Sequence, residues 1–133
     1  KISTELVWEV RLGLGWCHIK SERFDDAMKE LDEARYEALN AEDPITARAT
    51  VHIPVGWAYL GKGNHTSALE AFGKAQETFP GHIDIYRGLG WTYYQMKQKE
   101  NALQAFERGL KIYPRDPSCN EGIALLQPRP MDK

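Results

Sequence analysis

The chain repeats itself at an interval of 34 residues, and this periodicity limits its fold more than any other feature of the sequence. The residues that coincide at this interval include a glycine, a tyrosine, an alanine, a phenylalanine and a proline. They are Gly56 with Gly90, Tyr59 with Tyr93, Ala68 with Ala102, Phe72 with Phe106 and Pro80 with Pro114. A fixed period of this length is typical of stacked units, each of which buries its apolar face against its neighbours. The sequence therefore predicts an array of similar units.

Each unit has the pattern of two helices joined by a short polar turn. In residues 100–113 apolar residues recur at three- and four-residue spacing, which is the period of one helix face. Pro80 and Pro114 are expected to end the second helices, because proline lacks the N–H group that would continue the hydrogen-bond ladder. The predicted helices cover residues 3–20, 24–40, 44–61, 65–79, 83–96 and 100–113.

A weaker copy of the unit precedes the two clear ones. Leu31 lies in the slot that Phe72 holds in the second copy, at an offset of 41 residues in place of 34. His18 takes the slot of Tyr59, so this first copy departs from the pattern. A longer loop or longer helices near Pro44 are expected to accommodate the additional residues, since proline is favoured in the first turn of a helix.

The period and the order of these residues resemble the tetratricopeptide repeat, and the resemblance covers about residues 8–116. It implies an all-α fold, a right-handed solenoid of three helix pairs closed by a C-terminal capping helix. We expect a single domain over residues 1–133. Its parts are the repeats at residues 8–48, 49–82 and 83–116, a capping segment at 117–127 and a tail at 128–133.

Helical geometry separates the glycine of each repeat from the tryptophan that follows it. Gly90 shares a face with Tyr86 and Tyr93, and its small size is expected to let neighbouring helices approach closely. Trp91 lies about 100° further round the helix, so we expect it to point away from that close contact. The same arithmetic applies to the first helix of each repeat.

The resemblance implies that first helices line the concave surface of the solenoid. There the tryptophan-bearing faces would form a partner-binding groove, with Arg87 as an orienting charge. Its predicted residues are Leu12, Trp16, Ile19, Ile53, Trp57, Leu60, Arg87, Trp91 and Tyr94. Exposed aromatic surfaces of this size usually receive a partner, here a peptide segment or helix of another protein.

Two observations keep the identity of the partner open. Some tetratricopeptide domains bind the C-terminal carboxylate of chaperones through asparagines and basic residues, but Trp16 and Trp57 occupy asparagine slots here and only Arg87 fits that pattern. In the alternative interpretation the tryptophans are covered by flanking repeats or by a second copy of the chain. The segment would then be a structural spacer or a self-association module, for example a homodimer.

The composition argues against nucleic acid as a partner and against a membrane span. The chain has 17 basic and 19 acidic residues and a net charge of −2, so it lacks the basic excess that phosphate binding requires. No apolar run approaches the ~20 residues of a membrane span. The chain starts at Lys1 without a recognisable leader, and we expect an excerpt or a mature form.

No residue pattern indicates a metal, a cofactor or catalysis. Cys17 and Cys119 each lack a second cysteine or histidine at ligand spacing. Gly13 and Gly15 lie in a helical pattern without the preceding strand of a dinucleotide site. Because no nucleophile stands beside a base either, we predict that the protein is not an enzyme.

Pro54 lies inside the predicted helix 44–61 and admits two interpretations. A proline within a helix removes one hydrogen bond and produces a kink, here one turn before Trp57, which could shape the groove. Alternatively, the helix starts near Ile53 and the preceding residues are irregular.

Overall fold

Helices account for the regular secondary structure of the computed structural model, which describes residues 4–127. They are α1 (Thr4–Lys20), α2 (Phe24–Ala38), α3 (Pro44–Gly61), α4 (His65–Thr78), α5 (Ile83–Gln95), α6 (Lys99–Ile112) and α7 (Pro117–Leu126). The predicted all-α fold, the six repeat helices and the capping helix are confirmed. The predicted tail, residues 128–133, lies outside the described residues.

The contacts among these helices divide the chain into two units, Lys1–Pro80 and Gly81–Lys133. In the first unit α1 packs on α2 and α3 packs on α4, while α3 also contacts α1 and α2. In the second unit α5 packs on α6, and α7 contacts both. Leu31 and Val55 belong to the core of the first unit, and Phe106 is buried in the core of the second. Each unit therefore has an apolar core of its own.

Side-chain caps fix the starts of four described helices, among them α5, where His82 Nδ1 accepts from the backbone N–H of Asp84 at 3.2 Å. Asp43 accepts a hydrogen bond from the backbone N–H of Thr46 at 3.2 Å, and Asn64 caps α4 in the same way. Asp116 caps α7 by accepting from the N–H of Cys119 at 2.9 Å. These caps satisfy N–H groups that have no partner inside the helix.

Small residues allow the two helices of each pair to approach closely, as the sequence predicts. In each pair, a glycine of the first helix packs against a residue of the second helix that lies 16 positions later in the chain. A Cβ atom at Gly56 would lie 2.7 Å from the ring of Phe72, and one at Gly90 would overlap Phe106. At Gly15 the corresponding neighbour is Leu31. A larger side chain at these glycines would force the helices apart.

Pro54 lies within α3, which runs without interruption from Pro44 to Gly61. The interpretation in which the helix starts near Ile53 is therefore wrong. The local reason is that Asp43 caps the helix ten residues earlier and Pro44 suits its first turn. The kink remains a prediction.

Residues 4–127 contain neither a membrane-spanning helix nor a cluster of metal-ligating side chains. No helix between residues 4 and 127 has both the length and the apolar character needed to cross a bilayer. Within the same residues, histidine, cysteine and carboxylate side chains nowhere gather in threes as metal ligands would.

Candidate functional site

The nine predicted groove residues lie on the first helices of the pairs and are divided between the two units. Leu12, Trp16 and Ile19 lie on α1, and Ile53, Trp57 and Leu60 lie on α3, all in the first unit; Arg87, Trp91 and Tyr94 lie on α5 in the second. Two of them are buried, with Ile53 4% and Leu60 6% exposed. The other seven are half-buried.

Trp91 contacts both of the other helices of its unit, α6 and α7. Its ring lies edge-on to Phe106 of α6, with the ring centres 5.1 Å apart, and edge-on to Tyr94 at 5.3 Å. Its indole Nε1 donates a hydrogen bond of 2.7 Å to Ser118 Oγ of α7. The expectation that Trp91 points away from the close contact at Gly90 is therefore wrong, because its long side chain reaches back to the same phenylalanine.

Trp57 occupies the equivalent position in the first unit. Its ring lies edge-on to Phe72 of α4, with the ring centres 5.6 Å apart and the planes at 83°. Phe72 is fully buried, so it holds one edge of the indole in place. Edge-to-face aromatic pairs of this kind are worth about 0.5–1.5 kcal/mol beyond the area they bury. Part of each of these two tryptophans thus stabilises its own helix pair.

Trp16 differs from the other two. The residue across from it on α2 is Leu31 where the later pairs have a phenylalanine, so no edge-to-face pair can form. Its indole is half-buried and, within residues 4–127, makes neither a hydrogen bond nor a ring contact. Of the three tryptophans it has the smallest structural role.

Three half-buried members of the predicted set, Leu12, Ile19 and Tyr94, lie at the edges of the cores. Leu12 and Ile19 pack against the core of the first unit and are partly exposed. Tyr94 packs in the same way against the core of the second unit, beside Trp91. Each of these side chains keeps part of its surface accessible to a ligand.

Arg87 is held by two carboxylates of its own unit. Its guanidinium forms a salt bridge with Asp116, the residue that caps α7, and Nε donates a second hydrogen bond to the same oxygen at 3.0 Å. Asp84 lies one turn earlier on α5, and its Oδ1 is 3.5 Å from Nη1 of Arg87. The hydrogen bond from Arg87 holds the pKa of Asp116 at about 2, and the same bond raises the pKa of Arg87. At neutral pH both groups are charged and paired.

Sequence reasoning missed the role of Asp116 and Ser118. The Asp-Pro step at residue 116 does indicate a helix start, and the capping helix was expected there. Pairing between Arg87 and Asp116 spans 29 residues. Helical periodicity describes neighbours three and four residues apart, so it gives no signal for such a contact.

Comparisons with known proteins identify the repeat. A family model described as Tetratricopeptide repeat matches residues 59–126. Among solved structures, the Arabidopsis OM64 TPR domain superposes with a TM-score of 0.80 at 18% identity, covering 93% of this chain and 97% of that chain. The Hsp90 co-chaperone Cns1 from Saccharomyces cerevisiae (delta69) gives 0.81 at 19% identity, covering 95% of this chain and 40% of that chain.

A third solved structure, MamA D159K mutant 1, is more distant, with a TM-score of 0.56 at 16% identity over 93% of this chain and 88% of that one. A search of curated proteins by sequence finds no significant match. At identities below one fifth the structural neighbours establish the fold alone. Together with the family model they confirm an all-α helical repeat solenoid.

Proposed function

The chain belongs to the tetratricopeptide repeat family, and on that premise we propose that it holds a peptide segment or helix of a partner protein against the aromatic faces of its first helices. Members of this family generally serve as protein–protein interaction modules. The observation that carries the finer proposal is Trp16, a half-buried indole that its own unit does not use for a hydrogen bond or a ring contact within the described residues.

Tryptophan is well suited to this role. It offers a large, rigid, apolar surface, and interface residues that contribute most to binding are enriched in it. In the first unit Leu12 and Ile19 lie four and three residues from Trp16 on the same face of α1, and both are partly exposed, so they extend its apolar surface. In the second unit Trp91 and Tyr94 are the corresponding pair, with Arg87 as the nearest cation on the same helix.

The three tryptophans are expected to divide structural and binding roles unequally. Trp91 lies edge-on to two aromatic rings and donates a hydrogen bond, and Trp57 lies edge-on to Phe72. Replacing either would reduce stability as well as binding. Trp16 is therefore the residue at which binding can be tested with the least effect on folding.

The first test is selection of binding peptides from a displayed random library against the wild-type chain, followed by affinity measurement with Trp16→Ala. We expect the selected peptides to lose about tenfold or more in affinity, as for a central aromatic contact. Tyr113→Ala is the matched control, because Tyr113 is 55% exposed but lies at the end of a second helix, α6. It should bind as the wild type does.

Peptides that bind Trp16→Ala and Trp57→Ala with unchanged affinity would contradict the proposal. The self-association alternative has its own signature in sedimentation. A concentration-dependent dimer that Trp16→Ala converts to a folded monomer would mean that a second copy of the chain covers these faces. A wild-type chain that stays monomeric excludes that alternative.

A further inference from the structure

A second candidate site lies in the first unit among α2, α3 and α4. It is a cleft of about 360 Å³ whose lining includes Leu39, Ile45, Arg48, His52 and Lys74. A smaller cavity of about 80 Å³ shares His52 and Lys74 with it. The groove tryptophans line neither of them. The cleft is thus a separate surface, formed by the N-terminal half of α3 together with α4 and the C-terminal end of α2.

His52 is the unusual residue of this cleft. Its side chain is buried, with 7% of the residue exposed, yet its Nδ1 atom has no hydrogen-bond partner among the described residues. Buried polar atoms are nearly always paired, because an unpaired one costs free energy. The ring lines both cavities, so a ligand group entering them can reach it.

The charges around the imidazole are mainly positive. Arg35 on α2, Arg48 on α3 and Lys74 on α4 act on His52 against one carboxylate, Glu70 of α4. Lys74 is paired with Glu70 at 3.3 Å. In the same way, Arg35 is paired with a carboxylate of its own helix.

Arg48 differs from these two cations, because it forms no ion pair within residues 4–127. Glu77 of α4 also lines the larger cleft. Arg48 is therefore the cation of this site that remains available to an anion.

Aliphatic side chains border the same cleft. Leu39 at the end of α2 is 50% exposed and Ile45 in the first turn of α3 is 74% exposed. Large apolar side chains with this exposure next to a cationic recess form an amphipathic site. A ligand that fits both parts carries a negative group close to an aliphatic one.

We propose that this cleft binds an acidic peptide segment of a partner protein, with an aspartate or glutamate carboxylate directed at His52 and Arg48 and a neighbouring aliphatic side chain on Leu39 and Ile45. Charge complementarity favours this occupant, because Arg48, which forms no ion pair within residues 4–127, lines the cleft. The proposal is independent of the tryptophan surface.

Binding of a carboxylate would change the protonation of His52. Burial and the nearby cations lower its pKa to about 4, so the imidazole is neutral at pH 7. A bound carboxylate opposes those cations and raises this pKa. Complex formation should then take up a proton, and affinity should increase as the pH falls from about 7 to about 5.

The test follows the His52 imidazole by NMR while the capped tripeptide acetyl-Leu-Asp-Leu-amide is added. We expect saturable shifts at His52, and no saturable shifts with acetyl-Leu-Asn-Leu-amide, which differs only in charge. Arg48→Gln should weaken binding roughly fivefold, as removal of a partly exposed charge contact does. Arg108→Gln, a change of charge on α6 in the second unit, should leave it unchanged.

Three results would overturn the proposal. They are equal binding of the Asp and Asn peptides, absence of a saturable shift, and an unchanged affinity in Arg48→Gln. Inorganic phosphate is a further arm, and tighter binding of phosphate than of the Asp peptide would assign the site to a phosphate group. Trp16→Ala should titrate like the wild type, so a failure here is distinguishable from a failure of the proposed function.

Discussion

A single missing methyl group at Gly56 lets the ring of Phe72 lie directly against α3. The ring atoms Cε1 and Cζ are both 2.7 Å from where a Cβ atom would stand, and Phe72 is fully buried. Because the ring has no room to move away, the contact cannot relax as it could around a flexible side chain. The periodic glycine of the sequence therefore has a packing role that its helix propensity alone would not explain.

Gly56→Ala should destabilise the protein by about 1–3 kcal/mol, because overpacking against Phe72 outweighs the ~1 kcal/mol that alanine gains over glycine within a helix. Gly73→Ala is the matched control. Gly73 lies inside α4 with nothing within 4 Å of its Cβ position, so this change should stabilise. Urea unfolding measures both changes, and a Gly56→Ala protein as stable as Gly73→Ala would contradict the packing account.

The tryptophans show where sequence reasoning stops at this scale. Periodicity placed Trp91 about 100° from Gly90, which is correct for the Cα–Cβ directions. The indole is nevertheless long enough to return to Phe106, and Ser118 of another helix fixes its Nε1. The buried state of Ile53 also could not be derived, since burial depends on contacts between helices distant in the sequence.

Among the elements, the helices themselves were the most predictable. The start and end of a helix depend on residues close together in the chain, so they can be predicted from the sequence. For example, Asp43 is the N-cap of α3 and Pro44 is its first residue. The role of α7 was only half predictable. That it caps the chain was expected, but its fixation through Asp116 and Arg87 is a contact between distant residues.

α7 contributes several contacts to the second unit at once. Asp116 pairs with Arg87, Ser118 accepts from Trp91, and Cys119 lies in the core beside Phe106. Burial raises the pKa of the Cys119 thiol to about 12, so this cysteine is an unreactive core residue. A helix of ten residues thereby covers one side of α5 and α6.

Truncation after Arg115 should therefore destabilise the second unit by several kcal/mol, since it removes a buried ion pair, a hydrogen bond and core contacts together. Truncation after Gln127 is the control, because it removes only residues beyond α7. Fluorine NMR with 5-fluorotryptophan reports the effect site by site. We expect a large change in the fluorine chemical shift of Trp91 and none in that of Trp16. An unchanged chemical shift at Trp91 would contradict the role assigned to α7.

For the molecule as a whole, two buried residues with lowered pKa values, one in each unit, contribute to the response to acid. His52 in the first unit has a pKa of about 4, below its ordinary 6.5, because burial disfavours its charged form. Asp116 in the second unit has a pKa of about 2, below its ordinary 3.8, because Arg87 stabilises its charged form. In each case the unfolded chain binds a proton at a pH where the folded chain does not.

Stability should therefore fall with pH in two successive windows. The first, between about pH 6.5 and 4, comes from His52, and the second, between about pH 4 and 2, comes from Asp116, each on the order of 1–3 kcal/mol. Urea unfolding across this range should show a smaller first decline in His52→Leu and a smaller second decline in Asp116→Asn, where Asp25 and Asp43, whose pKa values are also lowered, keep their contributions. Because each variant leaves the other group in place, each serves as the control for the other. An equally steep decline between pH 6.5 and 4 in His52→Leu would mean that other groups control that window.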